Sequence, residues 1–263
     1  MHYLMMVSEN KKMIAQAEIL VKTIKKFSKG KPAEFTLIIQ GSDKSPLNLP
    51  LSLVPYKNSF SSYLQRNIEI LYTPHYWELG APCRWFVKPR RPMCVLIDVD
   101  VVACSDLYPM YELDHTVVHG VTAFKAHFDD QEWFSIGLTQ EDRKNYFNMG
   151  MVVIPSNYIK EIGLKLFEVY PKMQKNFPEK AYYSGQISLT HILKSMKINS
   201  NCLNSKFNWF DAKDYSEMKE TPIFLHYFWS NNKNPNSNNL FVDKNSEYFS
   251  LFQKSLLRLN ILQ

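Results

Sequence analysis

The sequence predicts an α/β fold in one domain spanning residues 1–263, with a central, mostly parallel mixed sheet flanked by helices. Three observations carry that expectation. Short segments such as "FTLIIQG" and "MCVLIDV" are apolar nearly throughout, as strands buried on both faces are. Between the first two such runs, apolar residues recur at helical spacing, and a strand–helix–strand unit of that length favours parallel pairing. The third is bulk: 263 residues, 45% apolar and 14% aromatic, supply one sizeable core.

In chain order, "YLMMV" is the first strand, and Ser8 or Asn10 can cap the helix that follows. Ile14, Ala17, Val21 and Ile24, with Leu20 and Phe27, form its buried face. "KGKP" ends the helix and "FTLIIQG" is the second strand. Residues 42–62, rich in Ser, Pro, Asn and Leu, read as a long loop, and Tyr63 to Phe86 as helical segments crossing the sheet. "MCVLIDV" is the third strand, and "TVVHGVTAF" and "MGMVVIP" are two more. The polar stretch 125–146 between those two suits a functional loop better than a spacer. Helices follow from about Tyr158 to Phe177 and from near Gln186, where Ile187, His191 and Lys194 fall in register. "PIFLHYF" is a late strand, "SNNKNPNSNN" a loop and "EYFSLFQKSLLRL" a closing helix. No period of 20–50 residues recurs, so a repeat architecture is not expected.

Charge and composition narrow the partners. A formal net charge of +6, from 31 basic and 25 acidic residues, favours anionic ligands without pointing to nucleic acid. The one dense basic cluster, "KPRRP", is bracketed by prolines and reads as a solvated loop, with anion contact as the alternative. Cys83, Cys94, Cys104 and Cys202 lack metal-ligand spacing; Cys94 and Cys104 lie in apolar strands, where a free thiol acts as a small hydrophobe. No segment reaches the roughly 18 apolar residues of a membrane span, and the N-terminal residues lack signal-peptide order. A reducing, cytoplasmic setting is therefore expected.

One stretch contradicts its surroundings. "CVLIDVDVVAC" sets Asp98 and Asp100 inside an apolar run. Residues two apart on a strand face the same way, so at its carboxyl end both carboxylates could point into one crevice, where open α/β sheets bind ligands. Paired carboxylates repel unless one is protonated or a cation lies between them. A hard divalent ion, Mg²⁺ or Mn²⁺, suits two oxygen donors and often shares its shell with substrate phosphates. The plainer alternative makes Asp98 a strand-end cap and Asp100 a turn residue.

With its companions, this motif resembles the nucleotide-sugar glycosyltransferases of the GT-A (Rossmann-like) fold, especially family 8. The residues are "VLIDVDVVACSDL", "YFNMGMVVIP", "SGQISLTHIL", "LNSKFNW" and "FLHYF", in family order over residues 1 to about 230. The resemblance implies a nucleotide-sugar-binding half over 1–115 and an acceptor-side half over 116–263. It implies that Asp98 and Asp100 ligate Mn²⁺ or Mg²⁺ with His226, Asp98 also lying at the ribose side of the donor. It puts Asn148 and Gln186 near the reacting sugar, and has Gly150 admit a close backbone approach. Ser8 and Arg84 would meet the nucleotide and phosphates, and Lys233 the diphosphate. The implied activity moves a sugar from a nucleoside diphosphate donor, UDP first, to a hydroxyl of a glycan or glycoprotein. Gln186 favours retention; an inverting enzyme would need a base, for which Asp129, Asp130, Glu132 and Asp211 are available, and Asp130 is the candidate carried forward.

The chain departs from the family pattern at three points. Gly185 stands where the family has an aspartate, Trp229 where it has a glycine, and Lys233 falls one residue late. Ordinary roles stay open for several residues: a core histidine for His226, a strand-entry turn for Asn148, a helix-start residue for Gln186, a helix cap for Ser8 and a surface ion pair for Arg84. Two other functions remain as alternatives: a non-catalytic nucleotide-sugar- or carbohydrate-binding domain, and a haloacid-dehalogenase-like phosphatase, whose nucleophile motif has the same pattern.

Overall fold

A computed structural model describes residues 1–43, 53–56, 61–75, 83–123, 127–209 and 221–226. The first unit is the expected one. Strand β1 (His2–Ser8) leads through helix α1 (Lys11–Phe27) to β2 (Glu34–Asp43), and the two strands pair in parallel. Ile14, Ala17, Leu20, Val21 and Ile24 are buried against the sheet.

From Tyr63 to Phe86 the sequence expectation of helical segments is corrected. A one-turn helix, α2 (Ser62–Asn67), capped by Ser61 on the Leu64 N–H, gives way to strand β4 (Glu69–His75), parallel to β2. Within the expected loop, β3 (Val54–Pro55) pairs antiparallel with β4. A 3₁₀ turn at Cys83–Phe86 precedes β5 (Met93–Ile97).

Strand β5 joins the far side of β1 in parallel. Beyond it, β8 (Phe147–Pro155) is antiparallel to both β5 and β7 (Val118–Thr122), and β9 (Ser200–Cys202) closes the edge parallel to β7. The sheet order is β3-β4-β2-β1-β5-β8-β7-β9, with four parallel and three antiparallel pairings. The sheet is thus mixed and mostly parallel, as expected.

Helices α5 (Ser156–Asn176) and α6 (Ser184–Ser195) cover one side of this sheet, where Leu4, Leu96 and Val152 pack with Ile162, Leu166 and Ile192. Tyr3, Met5, Val95 and Val153 join the α1 residues in the core on the other. A short second sheet pairs β6 (Val101–Ala103) antiparallel with β10 (Phe224–His226), and α3 (Tyr108–Tyr111) follows β6.

Residues 127–146 are more ordered than a loop. Helix α4 (Asp130–Ser135), closed by a capping box between Asp129 and Glu132, and a 3₁₀ turn at Gln140–Asn145 build a small core of Phe128, Trp133, Leu138, Tyr146, Met173 and Ile187. All four cysteines are free; three are buried, and burial pushes the Cys94 thiol up to about 11 and Cys83 to about 12. The expected closing helix, the loop 230–239, Asp211, Trp229 and Lys233 lie outside the described residues.

Candidate active site

The two aspartates do not lie on the strand. Strand β5 ends at Ile97, and Asp98, Val99 and Asp100 make the turn into β6. Their convergence therefore comes from the elements around the turn, not from strand alternation. The Asp98 N–H donates to the Gly150 carbonyl at 2.9 Å, which ties the turn to β8. In the second sheet, His226 sits opposite Val101, beside Asp100, and its Nε2 lies 3.2 Å from Asp100 Oδ1. One ligand atom from each of Asp98, Asp100 and His226 falls within 4.8 Å of the others.

Gly150 is what admits the histidine. A Cβ there would lie 2.0 Å from His226 Cε1, 2.3 Å from its Nδ1 and 2.8 Å from Asn148 Oδ1. The strand residue thus serves three contacts: its carbonyl accepts from Asp98, its N–H donates to Asn148 Oδ1 at 2.9 Å, and its bare Cα faces the imidazole. The close approach expected at Gly150 is made by a side chain of this protein.

Arg84, 3% exposed, is held by the 3₁₀ turn whose Trp85 packs against helix α5. Its Nη1 pairs with Asp98 Oδ1 at 2.9 Å. Burial and the adjacent Asp100 raise the Asp98 pKa, while the Arg84 guanidinium pulls it down. For His226, burial opposes the charged ring, but the Asp100 and Asp98 carboxylates outweigh it and raise the pKa above 6.5. The donor set, two carboxylates and an imidazole, fits a divalent cation such as Mn²⁺ or Mg²⁺.

The other candidates divide. Asn148 is buried beside Gly150. Gln186, 8% exposed on the first turn of α6, has an Oε1 with no hydrogen-bond partner among the described residues. A Cβ on its neighbour Gly185 would meet the Met149 side chain at 3.9 Å, so the head of α6 lies against the start of β8. Ser8 ends β1, on the same edge of the sheet as Asp98. Asp130 is engaged elsewhere, by Arg143 at 2.6 Å and Gln140 at 2.8 Å, within the 127–146 segment.

Two residues near the site were given no role from the sequence, Tyr182 and, within the "LNSKFNW" motif, Asn208. Tyr182, 63% exposed, stands edge-on to Tyr183, which stacks on His127. Partial burial of its hydroxyl and the Asp98 and Asp100 carboxylates raise its pKa. Asn208, fully buried, donates to Asn148 Oδ1 at 3.0 Å.

The sequence profile described as glycosyl transferase family 8 matches residues 61–235. The chain belongs to this family. Among solved structures, galactosyltransferase LgtC with donor and acceptor sugar analogues is 15% identical, with a TM-score of 0.57 over 86% of this chain and 87% of that one. An LgtC active-site mutant carrying glutamate for glutamine is 13% identical, with a TM-score of 0.58 over 97% and 96%. Glycosyltransferase GlyE of Streptococcus pneumoniae TIGR4 is 13% identical, with a TM-score of 0.55 over 99% of this chain and 64% of that one. At these identities the structures show the fold, which is GT-A. No curated protein sequence matches the chain. This family 8 member is a glycosyltransferase that uses a nucleotide-sugar donor, which removes the phosphatase and non-catalytic alternatives.

Proposed function

We propose that this family 8 enzyme transfers a hexose or pentose from a UDP-sugar, with a divalent cation, to a hydroxyl of a glycan or glycoprotein, retaining anomeric configuration. The observation that carries the reading is the meeting of Asp98, Asp100 and His226 within 4.8 Å against the bare Cα of Gly150. Asp98, Asp100 and His226 would hold Mn²⁺ or Mg²⁺. When bound, such an ion supplies positive charge to a diphosphate leaving group.

The rest of the chemistry belongs to the chain. Arg84 holds Asp98 in place through its 2.9 Å pair and adds fixed positive charge beside the carboxylates. Asn148 offers amide protons to the donor sugar, and Gln186, with its unpartnered Oε1, faces the reacting carbon. In the similar LgtC, an active-site mutant carries glutamate for glutamine, which supports that role for Gln186. An amide cannot act as a strong base, so the acceptor proton would pass to the departing phosphate on the same face, the retaining course. Asp130, paired with Arg143, keeps its ordinary role as an ion-pair partner in this reading. Ser8 and Lys233 are proposed contacts to the nucleotide and diphosphate, with 1–115 the donor half and 116–263 the acceptor half. No helix among the described residues is long and apolar enough to cross a membrane.

The test is calorimetric titration of UDP, then GDP, with and without Mn²⁺, on the parent and on Asp100→Ala. UDP binding that needs both the ion and Asp100 is expected. Metal-independent binding, or binding indifferent to Asp100, would remove the cluster from the donor site.

A further inference from the structure

Asn148 can present either its oxygen or its nitrogen to a ligand, and the two are chemically opposite. Here the network decides. The Gly150 N–H can only donate, so the Asn148 atom 2.9 Å away is Oδ1. Asn208 Nδ2 donates to the same oxygen at 3.0 Å. Both lone pairs are then engaged. The Nδ2 of Asn148 has no partner among the described residues, so it is the group left for a ligand.

Asn208 is poorly explained as a stabilising residue. It is fully buried and, among the described residues, makes this one side-chain bond, and its own Oδ1 is buried without a partner there. A net hydrogen bond is worth about 1 kcal/mol, and an unsatisfied buried acceptor costs about 1–3 kcal/mol. The balance leaves orientation as what the side chain delivers. The next residue handles the other half of the site. Trp209 bridges to Leu225, and its carbonyl accepts the His226 N–H at 2.8 Å. One dipeptide therefore grips both the strand that carries Asn148 and the strand that carries His226.

We propose that Asn208 is a positioning residue: it holds the Asn148 amide with its NH₂ toward the donor, while the Trp209 backbone sets His226. The proposal rests on the reading of Asn148 as a donor-sugar contact. Asn208→Asp keeps the volume but places an acceptor against Asn148 Oδ1. The amide must turn over or be repelled, and either takes the acceptor from the Gly150 N–H. Asn208→Leu removes the bond without opposing the amide, so Gly150 keeps its acceptor.

The experiment follows the Gly150 amide by NMR in protein labelled with ¹⁵N at its 8 glycines, comparing hydrogen exchange in the parent, Asn208→Leu and Asn208→Asp. Rapid exchange at Gly150 in the Asp variant alone is expected, with affinity for Mn²⁺ alone unchanged in both. Turnover of whichever UDP-hexose the parent consumes should fall roughly 10- to 100-fold in the Asp variant, the same order as the loss of a residue that orients a metal ligand. A protected Gly150 in Asn208→Asp would overturn the proposal, as would parallel loss of Mn²⁺ affinity and melting temperature. If the parent consumes no UDP-hexose, the donor reading falls, and the Gly150 signal still decides the orientation claim.

Discussion

Gly150→Ala adds one methyl group at the point where β8, the Asp98 turn and His226 meet. The new Cβ would lie 2.0 Å from His226 Cε1, and the ring has little freedom to yield. It is 4% exposed, and its backbone is held by Trp209. Overpacking of this kind costs about 1–3 kcal/mol in stability. Metal affinity should suffer more, since the ring must leave Asp100. We expect Mn²⁺ binding, read from the resonance of free Mn²⁺, to weaken roughly 10- to 100-fold with folding retained. Unchanged affinity would mean that His226 is not a ligand. At this scale much of the candidate site was legible. Asp98 and Asp100 stood out as charges inside an apolar run, and His226 and Asn148 through their motifs. Asn208 lies in the "LNSKFNW" motif, but the motif assigns it no role, because its meaning lies in a partner 60 positions away.

Elements were legible where burial left a periodic or continuous signature, as in α1, β2 and β8. Strand β4 was missed because "EILYTPH" is half-buried along most of its length and neither alternates nor runs apolar throughout. The direction of β8 was equally hidden, since a strand buried on both faces carries the same apolar run either way. Packing between elements makes its own prediction through two helical glycines. Alanine is preferred to glycine in a helix by up to about 1 kcal/mol. At Gly163 in α5, however, a Cβ would lie 2.5 Å from Trp85 Cβ, an atom fixed to the backbone. Helix α5 and the turn bearing Arg84 would have to separate. At Gly185 in α6, a Cβ meets only ordinary contacts at 3.9 and 4.0 Å. Urea denaturation should therefore show Gly163→Ala destabilised and Gly185→Ala unchanged or more stable. The reverse order would mean that α5 does not press on the Arg84 turn.

Across the whole molecule, acid should weaken binding and folding at opposite ends of the sheet for separate reasons. At the carboxyl end, the raised pKa values of Asp98 and His226 mean that protons compete with a cation, so affinity should rise with pH. At the other end, His2 is fully buried and takes the Arg90 N–H on Nδ1 at 3.2 Å. Its Nε2 must then carry the proton and donate to Thr36 Oγ1 at 2.9 Å, and Thr36 donates to Glu69 at 2.8 Å. The ring joins β1, β2, β4 and the Arg90 loop only while neutral. Burial and the Arg90 charge lower its pKa from 6.5 to about 4. A depressed folded-state pKa gives stability that is complete above 6.5 and is lost as pH falls toward 4. That shift corresponds to roughly 3 kcal/mol at full protonation. Replacing the ring by His2→Gln should flatten this acid limb in urea denaturation, even if stability near neutrality falls. Mn²⁺ affinity in the same variant should keep its full pH dependence, since none of the proposed ligands has changed. If both curves flattened together, the two ends of the sheet would be coupled, and the acid response of the metal site would be a consequence of unfolding.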